Sequence, residues 1–362
     1  MIHLSALLSA RQQYIAYHYR MAIRLPGLSA VSLITFLTLW LTNIPKVSQW
    51  GPGSLTLAIL TGILLGNTVY PRLNSYCDAG VQWAKQHLLR WGIVLYGFRL
   101  SFQQMTAVGI TGLVIDLAIV VSTFLLACWL GRRLFKLDRE TTVLIGAGSS
   151  ICGAAAILAT APVVKASSDK IAVAVSTVVI FGTTAMFLYP WLYRLNLYYD
   201  WLTLTPRASG LYLGSTIHEV AQVVAAGHAI NVETENMAVM GKMLRVMLLA
   251  PFLIILSLIM KNRQPQNSPA APLFLMFPWF ALWFVAVAAF NSSQLLPSHV
   301  VNALIQLDNV LLMMAMIALG LTTRLSAIRQ AGAKPLLLAL LLFLWLLVGG
   351  AGINLAAEHL LR

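Results

Sequence analysis

Runs of about 20 apolar residues recur along this chain, and the short gaps between them hold most of its Lys and Arg. In hydrocarbon a backbone must satisfy its own N–H and C=O groups, so runs of this kind read as membrane-spanning helices. Composition agrees: 59% of the residues are hydrophobic and 10% charged, whereas a soluble domain carries about a quarter charged. The expected class is an all-α polytopic membrane protein with about 10–11 transmembrane helices. The net charge of +13 would point to nucleic acid in a soluble chain. Here its placement in short gaps reads as topology, so no nucleic-acid partner is expected. Cys77, Cys128 and Cys152 lie apart with no ligand spacing, so no disulfide framework, metal site or cofactor is expected.

Residues 1–25 carry Arg11, Arg20 and three tyrosines without a cleavage site and read as a cytoplasmic interfacial arm. Residues 26–362 form a single transmembrane domain. The expected spans are Leu28–Asn43, bracketed by Pro26 and Pro45; Gly53–Tyr70; a third ending near Leu100 after a loop with Arg72, Lys85 and Arg90; Gly109–Leu130; Thr142–Val164; and Ile171–Trp191. Gly210–Ala229, Met240–Met260, Phe277–Leu296, Val300–Leu321 and Pro335–Leu355 complete the set. Arg132, Arg133, Lys136 and Arg139 anchor one loop inside, Glu233 and Glu235 mark an outer loop, and residues 261–276 form a polar loop. This pattern puts the N-terminus in the cytoplasm.

Two of these segments are poor continuous helices. Gly146-Ala-Gly-Ser-Ser-Ile-Cys-Gly-Ala-Ala-Ala156 concentrates glycine and serine; each glycine costs a helix about 1 kcal/mol relative to alanine, and serine competes for backbone hydrogen bonds. Gly214-Ser-Thr-Ile-His-Glu-Val-Ala221 repeats the order of Gly148-Ser-Ser-Ile-Cys-Gly-Ala-Ala155. Small residues also serve close helix packing. Paired interruptions in otherwise apolar segments nevertheless point to a transporter site, because unwound backbone at membrane depth survives where it lines a cavity. A second echo, Gly97 to Gly109 against Gly320 to Gly332, faces opposite sides in this topology, as inverted repeats would. The two echoes do not fit one collinear repeat.

Charge inside a span is costly and so informative. Three acidic residues lie there: Asp116, Glu219 and Asp308. Each could pair with Lys242, Arg245 or an unwound amide. Glu219 adjoins His218 within the second interrupted segment, a pair suited to carrying protons. His218-Glu219-Val-Ala-Gln222 falls one residue short of the zinc-protease helix motif, because Gln222 stands where the second imidazole would be. Ser149 and Ser150 lack the Gly-x-Ser-x-Gly frame of a serine hydrolase. An enzyme is therefore not expected.

Gly92-Ile-Val-Leu-Tyr-Gly-Phe-Arg-Leu100, Leu144 to Ala156 and Gly214 to His228, together with Lys242-Met-Leu-Arg245 and Ala318 to Thr323, resemble the YeiH-type family of bacterial inner-membrane proteins. The resemblance covers nearly the whole chain. It implies the label sulfate exporter, and a fold grouped with bile-acid symporters and sodium/proton antiporters. That fold has inverted repeats with two interrupted, crossing helices, and a homodimer is common among its relatives.

Freed N–H groups and positive helix ends at two such breaks would receive an oxyanion. The candidate substrate-binding residues are Gly148, Ser149, Ser150, Gly153, Gly214, Ser215, Thr216 and Arg245, with Lys242 at the mouth of its span; the ion-coupling candidates are His218, Glu219 and Asp116. The expected function is proton-coupled secondary transport of a small anion such as sulfate or a sulfonate across the inner membrane. The alternatives are a sodium-coupled carrier of a carboxylate or other organic anion, a passive anion channel and, remotely, an intramembrane hydrolase.

Overall fold

The computed structural model describes residues 2–42, 54–200, 205–261, 278–323 and 332–360. Among the described residues the secondary structure is helical throughout, with no strand. Among the described residues six helices are long and apolar enough to cross a membrane: Ala22–Thr42, Val108–Leu134, Ser168–Tyr199, Val232–Met260, Ser298–Thr322 and Ala333–Glu358. Ser54–Thr68 and Tyr70–Arg99 form a pair bent by 120°. The chain is a multi-pass, all-α membrane protein. Of the expected polar loop 261–276, residues 262–276 lie outside the described residues, as does the middle of the Gly320 to Gly332 echo, and Lys261 ends a helix.

The chain gathers into two compact units, Met1–Ile93 with Gln306–Arg324 and Val94–Ile305 with Leu325–Arg362. In the first unit, α1 (Ile2–Thr42) runs through Pro26 without ending there, contrary to the expected boundary. Close packing explains why: a Cβ on Gly27 would lie 2.1 Å from the Cys77 carbonyl, so α1 and α3 (Tyr70–Trp83) touch backbone to backbone at this point. Hydroxyls in α1 are satisfied inside the helix, as lipid demands; Thr35 and Thr38 donate to the carbonyls four residues back. After α2 (Ser54–Thr68) the chain turns at Val69, and Pro71 then sits in the first turn of α3, where a missing N–H costs nothing. Arg72, Lys85 and Arg90, expected in a loop, therefore lie on helix: α3, a π turn (Ala84–Leu88) and α4 (Leu89–Tyr96).

The second unit holds the interrupted segments. Its long helix α5 (Phe102–Trp129) carries a non-helical Gly109 (φ +50°) at the start of the apolar span. The first interrupted segment is α6 (Arg139–Ser150), a turn at residues 151–153, and α7 (Ala154–Val164). Then come α8 (Ser168–Tyr199) and the second interrupted segment, α9 (Pro206–Thr216) and α10 (Val220–His228) separated by residues 217–219. Helices α11 (Val232–Met247), α12 (Leu249–Lys261), α13 (Trp279–Ser292) and α14 (Ser298–Thr322, shared between the units) follow. The chain finishes with α15 (Ala333–Leu344), a π turn and α16 (Gly350–Leu360). Gly332 (φ +77°) opens α15 much as Gly109 opens the span of α5, so this echo marks two like helix entries.

One boundary corrects the expected topology. Asn231 caps α11 by accepting the Thr234 N–H, so the helix starts at Val232 and not near Met240. Glu233 and Glu235, expected in an outer loop, form its first turn, where carboxylates suit the positive helix end. Glu235 is buried and meets His228 Nδ1 at 2.9 Å. Lys242 and Arg245 are thereby carried about three turns into the helix rather than left at its mouth.

Candidate functional site

Both interruptions end a helix and begin another, so each presents C-terminal carbonyls and N-terminal amides at one place. In the first, Ile151 leaves the helical region and Gly153 takes φ +67°, ψ −132° before α7. Such a conformation is strained for any residue with a Cβ. In the second, Ile217 and Glu219 are extended (ψ 147° and 149°) and no positive φ is needed. The two breaks meet at the side chains of α11.

Lys242 and Arg245 stand one turn apart on α11, and neither is exposed at all. Lys242 Nζ donates to the Ile151 carbonyl at 2.8 Å and the Ile217 carbonyl at 2.7 Å. Arg245 donates from Nε to the Ser150 carbonyl (2.7 Å), from one Nη to the Ser149 carbonyl (2.7 Å) and from the other to the Ile217 carbonyl (3.1 Å). The two cations thus cap the negative ends of α6 and α9 together. Arg245 was expected to face an anion; its guanidinium is instead turned onto three backbone carbonyls, a use that depends on two helix ends remote in sequence.

The positive ends are served by one carboxylate. Glu219 Oε1 accepts the Ala154 N–H at the start of α7 at 3.3 Å. Glu219 also precedes α10, where its own N–H is taken by Gln222 Oε1 at 3.1 Å. A Cβ on Gly153 would fall 2.5 Å from Glu219 Cγ, so the glycine makes room for this carboxylate as well as for the turn. Around this end Ala154 and Glu219 are partly exposed and Ala155 is exposed, while the cation-capped side is closed.

The remaining candidates divide into used and unused groups. Ser150 and Ser215 donate to carbonyls in their own helices, and so does Thr216, to Tyr212. Gly148 and Gly214 are packed: a Cβ on Gly214 would lie 2.4 Å from the Ala238 carbonyl on α11. By contrast, Ser149 Oγ, His218 Nδ1 and both carboxylate oxygens of Asp116 are buried without a hydrogen-bond partner among the described residues. Asp116, on α5, interacts electrostatically with Arg245 and Lys242. The centre therefore combines two cations with the two carboxylates Asp116 and Glu219.

The Conserved hypothetical protein 698 family matches residues 26–339. The chain belongs to this family. Among family relatives, the UPF0324 membrane protein of Photorhabdus laumondii is 58% identical over 340 residues, covering 93% of this chain and 94% of that protein. A UPF0324 membrane protein of Yersinia pestis is 60% identical over 338 residues, 93% of each. The UPF0324 inner membrane protein YeiH of Escherichia coli K12 is 58% identical over 330 residues, 91% of this chain and 93% of that protein. The expected YeiH-type resemblance is thereby shown, and with it a multi-pass protein of the bacterial inner membrane.

Three residues of this family member were not anticipated as parts of the centre. Gln222 was noticed only for spoiling a protease motif, yet Glu219-Val-Ala-Gln222 has capping-box spacing, which would have found it. Tyr212 and Asn354 carry no local signal. Tyr212 OH donates to the Leu347 carbonyl at 2.6 Å, and Asn354 Nδ2 donates to Ser215 Oγ at 3.1 Å, tying α9 to the last part of the chain.

Proposed function

We propose that this protein is a secondary transporter that moves a small anion across the inner membrane coupled to protons, a carrier rather than an enzyme. The observation that carries the reading is the Glu219 carboxylate resting on the N-terminus of α7. A helix N-terminus at a break is an anion receptor, and here the chain's own carboxylate serves as the anion. Protonation removes that charge and releases the Ala154 amide, on the partly exposed side of the centre, to an incoming oxyanion. Departure of the proton returns the carboxylate and expels the anion. Substrate and ionised Glu219 thus compete for one place, which makes binding depend on pH. Asp116, beside the same cations, is the second carboxylate able to carry a proton.

The arrangement favours an anion over sodium. Sodium at a helix break is held by freed carbonyls, and the carbonyls of Ser149, Ser150, Ile151 and Ile217 already accept from Arg245 and Lys242.

Flux measurements in proteoliposomes test the reading. Wild-type protein is expected to accumulate radiolabelled sulfate or a small organic anion uphill when a pH gradient is imposed. Glu219→Gln should still bind the anion while losing both the pH dependence of binding and the pH-driven accumulation. Purely downhill flux would overturn coupled transport, and a well-folded Glu219→Gln variant with full pH-driven transport would overturn the role of Glu219.

A further inference from the structure

Beside the second break lies a cavity of about 670 Å³ whose walls come from α5, α8, α9 and α16. It is mostly apolar, with Leu192, Leu211 and Leu355 among its walls and the rings of Tyr189 and Tyr212 stacked at a tilt, centroids 5.0 Å apart. Arg207 in the first turn of α9 and Glu358 also line it. Buried polar atoms on its walls without a hydrogen-bond partner among the described residues include Ser209 Oγ, in a residue 2% exposed, and Asn354 Oδ1, in a residue 8% exposed. Buried polar groups are rarely left unsatisfied unless something else completes them.

Hydrogen bonds join the wall of the cavity to the end of α9 at the second break. Asn354 turns its amide nitrogen to Ser215 Oγ, one residue before Thr216, and keeps its oxygen unpartnered. Tyr212 lies one turn before Thr216 and accepts the Thr216 hydroxyl at its carbonyl. Arg207 and Glu358 lie at least one further turn from the break along α9 and α16. A molecule in the cavity would therefore meet Arg207 and Glu358 at one end and side chains joined to the break at the other. The volume lies within the range of sites for organic ligands, roughly 300–1,000 Å³, and is several times the room that a bare tetrahedral oxyanion needs.

We propose that this cavity binds the body of an amphipathic organic anion, so that the substrate is an organic acid with an apolar portion rather than an inorganic oxyanion. Its apolar portion lies against the leucines and tyrosine rings, and a hydroxyl or protonated acid completes Ser209 Oγ and Asn354 Oδ1. Translocation of the bound acid rests on the transport reading; its binding does not.

The test uses the full chain in lipid nanodiscs, titrated calorimetrically with straight-chain carboxylates from acetate to octanoate and with inorganic sulfate, against empty nanodiscs. Burial of each added methylene in the cavity should raise affinity about fourfold, sulfate should bind more weakly than butyrate, and Ala351→Phe, which fills the cavity, should remove the chain-length dependence. Ala208→Leu, at the Arg207 end, is a second blocking variant if Ala351→Phe does not insert. Ser209→Ala should weaken every acid several-fold without altering the dependence on length. Affinity independent of chain length, or unaltered by both blocking variants, would overturn the proposal. So would native mass spectrometry showing a lipid held by wild type and lost from the blocking variants, with no acid binding. Chain-length-dependent binding without uphill flux would leave the cavity standing and sink the transport reading; uphill flux of sulfate without such binding would do the reverse.

Discussion

The two interruptions share the order glycine, serine, hydroxyl residue, isoleucine, but they are built differently. The first offers backbone alone: three carbonyls for the cations, a Gly153 at positive φ and the amide of Ala154 that Glu219 accepts, with no charged side chain of its own. The second offers one carbonyl, that of Ile217, shared by both cations, but supplies His218 and the Glu219 carboxylate that reaches across to the first. One break is thus the receptor and the other carries the group that fills it. The shared order makes both segments stop being helix; the next two residues, Cys152-Gly153 in one case and His218-Glu219 in the other, assign the roles.

The largest expected effects come from the cations, and they should be unequal. Arg245→Met strips the only side-chain donors described for the Ser149 and Ser150 carbonyls while Ile217 keeps Lys242. Two buried acceptors left unmet cost about 2–6 kcal/mol. Lys242→Met orphans only Ile151, since Ile217 keeps Arg245, and should cost about 1–3 kcal/mol. Thermal melting of the detergent-purified variants measures both. Equal losses would mean that the first break does not depend on Arg245 more than on Lys242.

A smaller effect separates the glycines that open the two shared motifs. A Cβ at position 214 meets backbone, the Ala238 carbonyl at 2.4 Å and the Lys242 nitrogen at 2.9 Å, so α9 must move off α11. At position 148 it meets the ends of Ile157 (2.7 Å) and Val178 (2.9 Å), side chains that can turn aside. Gly214→Ala should therefore destabilise by about 1–3 kcal/mol through overpacking. Gly148→Ala should change stability by less than about 1 kcal/mol, because better helix propensity offsets the crowding. Melting curves showing the opposite order would overturn the contrast between backbone and side-chain packing.

Much of this was legible in the sequence because its causes are local. Apolar length gave the long membrane helices, of which the described residues hold six and one bent pair against the 10–11 expected, and glycine with serine gave both interruptions. Contacts between distant segments were not legible. Nothing near Lys242 or Arg245 announces that their partners are carbonyls some 90 residues back in the chain, and the assumed start of their helix near Met240 hid how deep they lie. Asn231 could have moved that start, since it is a strong N-cap followed by two glutamates suited to a first turn. Pro26 misled for the converse reason: proline usually ends a helix, but here tight packing at Gly27 holds the chain helical through it.

The smallest expected effect lies at the outer ends of the half-helices, where the two segments differ again. Helix α9 begins with a neutral cap, the Ala208 N–H donating to Thr205 Oγ1 at 3.1 Å. Helix α6 begins with a charged one: Asp138 accepts the Thr141 N–H at 3.0 Å and Lys170 Nζ at 2.9 Å, and Lys170 also meets Glu140 at 2.9 Å. Partial burial pushes the Asp138 carboxyl up, but the Thr141 amide and the Lys170 ammonium more than offset this and hold it below its ordinary value. A carboxylate lowered in this way stabilises the fold above its unfolded pKa, about 3.9, and the contribution disappears as pH falls through the lower folded value. Asp138→Asn keeps a good cap while losing the charge, so it should cost no more than about 1 kcal/mol at neutral pH, as exposed ion pairs do. Its deficit should shrink below about pH 4, where wild type loses the same contribution. Thr205→Ala should cost about 1 kcal/mol equally at pH 7 and pH 3.5. Parallel melting profiles for the two variants across that range would show that the charge at Asp138 does not distinguish the start of α6 from that of α9.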